Sequence, residues 1–166
     1  MMHSFLNRSL PTLFFSSIII FSSAFAAPPE GYNFLSLTDA YQQSAAENKP
    51  MFLYFGRYGC STCRKMHKEV FSDVGLTRQF SENFVLAYVD TESGNRIRLP
   101  NGERTTEMQF TAQNRILGTP TFVYFDKQQK ALFKRSGFQT IKQMLEFNGH
   151  VLNEKQASLN LKTIAK

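Results

Sequence analysis

Tryptophan is absent from this 166-residue chain, cysteine occurs only twice, at Cys60 and Cys63, and histidine three times. Two cysteines exclude a small domain stapled by many disulfides. Three histidines leave few ligands for a structural zinc site, which takes four. No internal repeat or low-complexity tract is present, which excludes solenoids and collagen-like rods. The main apolar stretch, Leu13 to Phe25, falls short of the roughly 20 residues that a membrane-spanning helix needs. Acids are the scarcer charge, 13 against 19 Lys and Arg for a net charge of +6, but the basic residues are scattered, so no nucleic-acid patch is visible. What remains is 42% apolar, with nine Gly and six Pro, the composition of one globular domain.

Residues 1–26 read as an export signal. Arg8 is the only charged side chain before Glu30, and only paired serines break the apolar stretch. Ala24-Phe25-Ala26 then forms the small-x-small pattern of a signal-peptidase site. Cleavage is expected after Ala26, placing the protein in the periplasm without a stable membrane anchor. Residues 27–153 are expected to form the domain and residues 154–166 a C-terminal tail.

Along that domain, helical and extended patterns alternate. Ser36 to Asp39 look like a capping box, followed by a helix with Leu37, Ala40, Tyr41 and Ala45 on one face, ending at Lys49-Pro50. Met51 to Phe55 is a continuous apolar run, as in a strand buried on both faces. A helix is expected to begin at or beside Cys60, with Cys63, Met66, His67 and Val70 on one face, and a second over Asp73 to Phe80. Phe84 to Val89 reads as a strand, so the two strands and the helices between them suggest a parallel βαβ unit. The polar stretch Thr91 to Arg104, with its Asn101-Gly102 turn signal, reads as a hairpin excursion at the surface. A helix over Thr105 to Ile116 follows, then strands Thr121 to Phe125 and Ala131 to Arg135. The last helix runs from about Thr140 to Leu152, with Ile141, Met144, Leu145, Val151 and Leu152 inward. A mixed sheet flanked by helices on both faces is the α/β architecture that results.

Cys60-Ser61-Thr62-Cys63 falls where a buried strand gives way to a helix, the setting in which Cys-x-x-Cys reads as a redox motif. So short a loop constrains the unfolded chain little, so the pair is poorly suited to stapling. A cysteine at a helix N-terminus sits near unpaired N–H groups and the positive end of the helix dipole, which favour thiolate, and Arg57 and Arg64 are placed to add to this. Cys60 is therefore the expected nucleophile and Cys63, one turn on, the resolving thiol.

With this motif and with Leu117-Gly118-Thr119-Pro120-Thr121-Phe122 entering a later strand, the sequence resembles the thioredoxin superfamily over nearly the whole domain. The resemblance implies a thioredoxin fold, here with a hairpin insertion before the cis-Pro segment. It further implies that Pro120 is cis and faces the disulfide, and that Thr119 pairs with a bound substrate chain. Met66, Val70, Asn83 to Asp90 and Asn101-Gly102 are similar to elements of exported thioredoxin-like proteins associated with bacterial sulfur oxidation. Two departures stand out: Gly59 replaces the Trp that usually precedes the first Cys, and Tyr54 replaces the buried Asp that assists proton transfer from the resolving thiol. Ser61-Thr62 matches neither the Gly-Pro of cytosolic reductants nor the Pro-His of strong periplasmic oxidants, so redox direction stays open.

The expected function is thiol-disulfide exchange on protein substrates, with reduction of disulfides favoured and a membrane electron donor as partner. No dissociable cofactor is expected, since the Cys60–Cys63 disulfide carries the electrons. No nucleic-acid partner and a monomeric state are expected as well. The alternatives are a disulfide oxidant or isomerase, and a non-enzymatic adaptor or copper(I) carrier in which His67, four residues after Cys63, joins the thiols. His67 reads first as a partly exposed helical residue, and His150 is the other histidine of the domain. Phe55 and Phe122 are expected in the core, Tyr58 at the surface, and Arg96, Arg98 and Arg104 in a solvated loop.

Overall fold

The computed structural model describes residues 27–153. The expected export signal and C-terminal tail lie outside the described residues. Five strands form the central sheet: β1 (Phe34–Leu35), β2 (Met51–Gly56), β3 (Val85–Asp90), β6 (Thr121–Phe125) and β7 (Ala131–Ser136). Their spatial order is β1-β3-β2-β6-β7. β1 and β2 run parallel to β3, whereas β6 is antiparallel to β2 and β7 to β6, so the sheet is mixed. A separate hairpin, β4 (Arg96–Arg98) and β5 (Arg104–Thr106), is the insertion. The helices are α1 (Leu37–Glu47), α2 (Ser61–Glu69), α3 (Val74–Asn83), α4 (Glu107–Gln113) and α5 (Ile141–Leu152).

Strand β2 is buried at every position, as its unbroken apolar run predicts, and its alternation feeds two cores. Phe52 and Tyr54 join Met66, Phe80, Phe122, Tyr124 and Met144 on the side of α2, α3 and α5. Met51, Leu53 and Phe55 join Leu37, Ala40, Val85, Ala87 and Phe110 on the side of α1 and α4. Phe55 and Phe122 are core residues as expected.

Several local expectations shift. The two-residue β1 is too short to leave an alternation pattern. In α1 it is Ser44 that is buried, its hydroxyl donating to the Lys49 carbonyl at 2.7 Å, while Ala45 is exposed. Helix α3 starts after its Asp73 cap and continues to Asn83. Thr105 and Thr106 belong to β5 rather than to a helix, because Thr105 pairs with Ile97 and Thr106 closes a capping box with Gln109. The insertion is not purely a surface excursion: Arg96, Arg98 and Arg104 are exposed, but Ile97 between them is buried in the second core. In α5, Leu145 faces outward and Asn148 is buried instead, accepting a hydrogen bond from the Tyr124 hydroxyl at 3.0 Å.

Candidate active site

Cys60 caps α2 at its N-terminus, in extended conformation, and its sulfur accepts the backbone N–H of Cys63 at 3.1 Å. The sequence produces this directly: a buried strand ends at Gly56, and Gly59 takes a φ of +72° that turns the chain into the helix. That left-handed conformation disfavours a bulky side chain and suits the glycine found here. Cys60 and Cys63 form a disulfide with Cα atoms 5.2 Å apart, and both are nearly buried, at 6% and 5% exposure. Ser61 and Thr62 form the first turn of α2 between them.

Across from the disulfide, the Thr119–Pro120 peptide is cis, and the Thr119 carbonyl oxygen lies 3.5 Å from the Cys60 sulfur. Pro120 is buried and Thr119 half-buried, held by the Thr121 hydroxyl donating to the Gly118 carbonyl at 2.7 Å and by Gly137 N–H donating to the Pro120 carbonyl at 2.8 Å. All four residues singled out by the two motifs thus meet at one place.

A half-open cleft of about 190 Å³ runs from this disulfide along α2, lined by Cys60, Cys63, Tyr54, Tyr88, His67 and Arg57 among others. Arg57 pairs with Glu92 at 3.2 Å, so part of the positive charge expected beside Cys60 is neutralised. Arg64 remains exposed on the cleft wall. Tyr58 is 63% exposed, as expected, and Leu117, preceding Gly118, is almost fully exposed.

Tyr54 is fully buried as a ring, yet its hydroxyl meets His67 Nε2 at 3.0 Å. Its ring stacks on Phe71 and meets Tyr88 edge-on. Tyr88 fits because Gly56 beside it carries no side chain; a Cβ there would sit 2.7 Å from the Tyr88 hydroxyl oxygen. Burial pushes the Tyr54 hydroxyl far above the usual tyrosine range, with Tyr88 adding to the shift. Tyr88 is likewise raised by burial, then by Asp90 and Glu107. Burial pulls His67 below the ordinary imidazole range. At neutral pH the cleft wall therefore presents two protonated phenols and one neutral imidazole. The Tyr54–His67 pairing is the part that sequence reasoning missed; the available signal was a Tyr in a buried strand position and a His one turn after Cys63. Among the described residues, no three His, Cys, Asp or Glu side chains gather as a metal-holding group.

The arrangement can exchange electron pairs: one sulfur sits at a helix N-terminus, a second closes on it, and an open strand lead stands beside them. The pattern of the thioredoxin-like domain family matches residues 37–151. The fold is similar to a thioredoxin from Thermus thermophilus, with a TM-score of 0.62 at 22% identity, covering 75% of this chain and 89% of that one. A DsbH oxidoreductase gives 0.53 at 20% identity, covering 75% and 85%. A stretch of 54 residues is 37% identical to spermatogenesis-associated protein 20 of Mus musculus, spanning 32% of this chain but only 7% of that relative's length.

Proposed function

We propose, from the premise that this chain belongs to the thioredoxin-like domain family, that it is an exported reductase of protein disulfides. The fold with its Cys-x-x-Cys pair is that of a thiol-disulfide oxidoreductase. The observation that carries the assignment of roles is the Cys63 N–H directed at the Cys60 sulfur at the start of α2. That donor and the helix dipole favour negative charge on Cys60 once the pair is reduced. The Cys60 thiolate then attacks a substrate disulfide, releasing one substrate thiolate and leaving a mixed disulfide. Cys63, after losing its proton, attacks Cys60, closes the internal disulfide and frees the second substrate sulfur. Two electrons pass from the cysteine pair to the substrate, and no dissociable cofactor takes part.

Thr119 and Pro120 position the substrate chain against the sulfur, a role supported by the 3.5 Å approach of the Thr119 carbonyl. Export is supported by the pattern of residues 1–26, and an exported reductase needs a membrane electron donor to regenerate its thiols. Among the described residues, no helix is long and apolar enough to cross a membrane. The test is the equilibrium reduction potential of Cys60 and Cys63 against glutathione or dithiothreitol, together with reduction of insulin. A potential near about −270 mV supports the reductase, whereas one near about −120 mV makes the protein a disulfide donor and overturns it.

A further inference from the structure

Resolution of the mixed disulfide requires the Cys63 proton to leave, and the β2 residue lining the same cleft is Tyr54, which burial keeps protonated. A protonated phenol is no base. The same phenol, however, holds an imidazole 3.0 Å away, and that imidazole stands one helical turn beyond Cys63 on the face lining the same cleft. We propose that His67 is the proton acceptor for the Cys63 thiol, with Tyr54 as its positioning residue. The inference deepens the proposed exchange reaction and rests on the roles given there to Cys60 and Cys63.

The step balances within the chain. With His67 Nε2–H donating to the Tyr54 hydroxyl oxygen, Nδ1 is the free acceptor: Cys63 gives its proton to that nitrogen within the cleft they share, the resulting thiolate attacks the Cys60 sulfur, and the Cys60–substrate S–S bond breaks. The electron pair of that bond leaves with the substrate sulfur, which takes its proton from the imidazolium or from water. The surroundings suit a neutral imidazole at rest. Tyr54 of β2 and Tyr88 of β3 face the cleft as protonated groups, and the cations Arg64, Lys68 and Arg57, the last paired with Glu92, line it or the adjoining cleft that also touches His67. Glu30, from the segment before β1, is the carboxylate among the residues lining these two clefts. Edge-on contacts to Tyr54 and Phe71 fix the ring plane of His67.

The experiment is a stopped-flow reaction of the reduced, purified protein with dithiobis(nitrobenzoate), between pH 5 and 8. The first equivalent of nitrothiobenzoate reports attack by Cys60, and the second reports resolution by Cys63. Failure of the first phase counts against the proposed function; the second phase alone tests His67. With the native chain, the second-phase rate is expected to rise through an inflection below the ordinary imidazole range and then to level. His67→Gln is expected to slow that phase about 10²-fold at pH 6, the lower end for a positioned proton acceptor, and to remove the inflection, with the first phase little changed. Tyr54→Phe is expected to slow it less and to keep the inflection. His67→Asp, which restores a base, is expected to recover rate over His67→Gln and move the inflection to lower pH. A second phase slowed less than about threefold by His67→Gln, or both phases slowed alike, overturns the proposal.

Discussion

Along β2, Phe52 and Tyr54 point to the side covered by α2, α3 and α5, while Met51, Leu53 and Phe55 point to the side covered by α1 and α4. The first side is packed chiefly by rings. Phe52 lies 4.6 Å from Phe80, 5.0 Å from Tyr124 and 5.5 Å from Phe122, centroid to centroid. The second is mostly aliphatic, with Phe55 stacked on Phe110. Two phenols are fully buried on the ring-rich side, and each finds a partner there: Tyr54 finds His67, and Tyr124 finds Asn148. A polar handle on a large apolar body is how reactive chemistry is brought under a sheet without an unpaired group. On the aliphatic side the phenol is Tyr41, half-buried at the margin of the core and edge-on to Phe125.

Five substitutions test this contrast, and the largest effect belongs to the chemistry. Cys60→Ser is expected to abolish reduction of a protein disulfide, and Cys63→Ser to accumulate a covalent complex visible on a non-reducing gel. Leu53→Ala on the opposite side should leave the per-molecule rate of the folded protein unchanged. Next come the two cores. Truncating Phe52→Ala is expected to cost about 4 kcal/mol and Leu53→Ala about 3 kcal/mol in urea denaturation, because the larger cavity opens among rings. An equal or reversed order would remove the energetic distinction between the faces. Tyr124→Phe deletes one hydroxyl but leaves the Asn148 side-chain oxygen buried without its donor, at a cost of about 1–2 kcal/mol.

The smallest effect is the response to acid. His67 titrates lower in the folded protein than in the unfolded chain, because burial disfavours its charge. Between those two values the unfolded chain holds a proton that the folded one lacks. Stability contributed by neutral His67 is therefore lost as pH falls through about 6.5 and levels off only below the folded value. His67→Gln should flatten that part of a denaturation-against-pH curve. An unchanged slope would mean that the ring-rich side carries no titrating group.

The contiguous parts of the site were legible in the chain: Cys60 to Cys63 opens a helix, and Pro120 enters a strand. So were β2 and the mixed order of strands, because a buried strand leaves an unbroken apolar run. The same run hides parity, so nothing in it told which of Tyr54 and Phe55 would look into the cleft. The α1 face slipped by one residue because Ser44 satisfies its hydroxyl on a nearby carbonyl and is buried more deeply than Ala45. The start of α4 was misplaced because Thr105 and Thr106 suit both a strand and a cap. Tyr54 and His67 stand 13 positions apart and meet only when β2 and α2 pack together.

The helix cap made by a sulfur also gives the protein an internal reporter. Since the Cys63 amide donates to Cys60 Sγ, its proton resonance senses whether that atom is bridged, protonated or anionic, and an ionic acceptor shortens and strengthens the bond. In a ¹⁵N-labelled, reduced sample, one backbone cross-peak followed through a pH titration would read the ionisation of Cys60 directly, with no alkylating reagent and no substrate present.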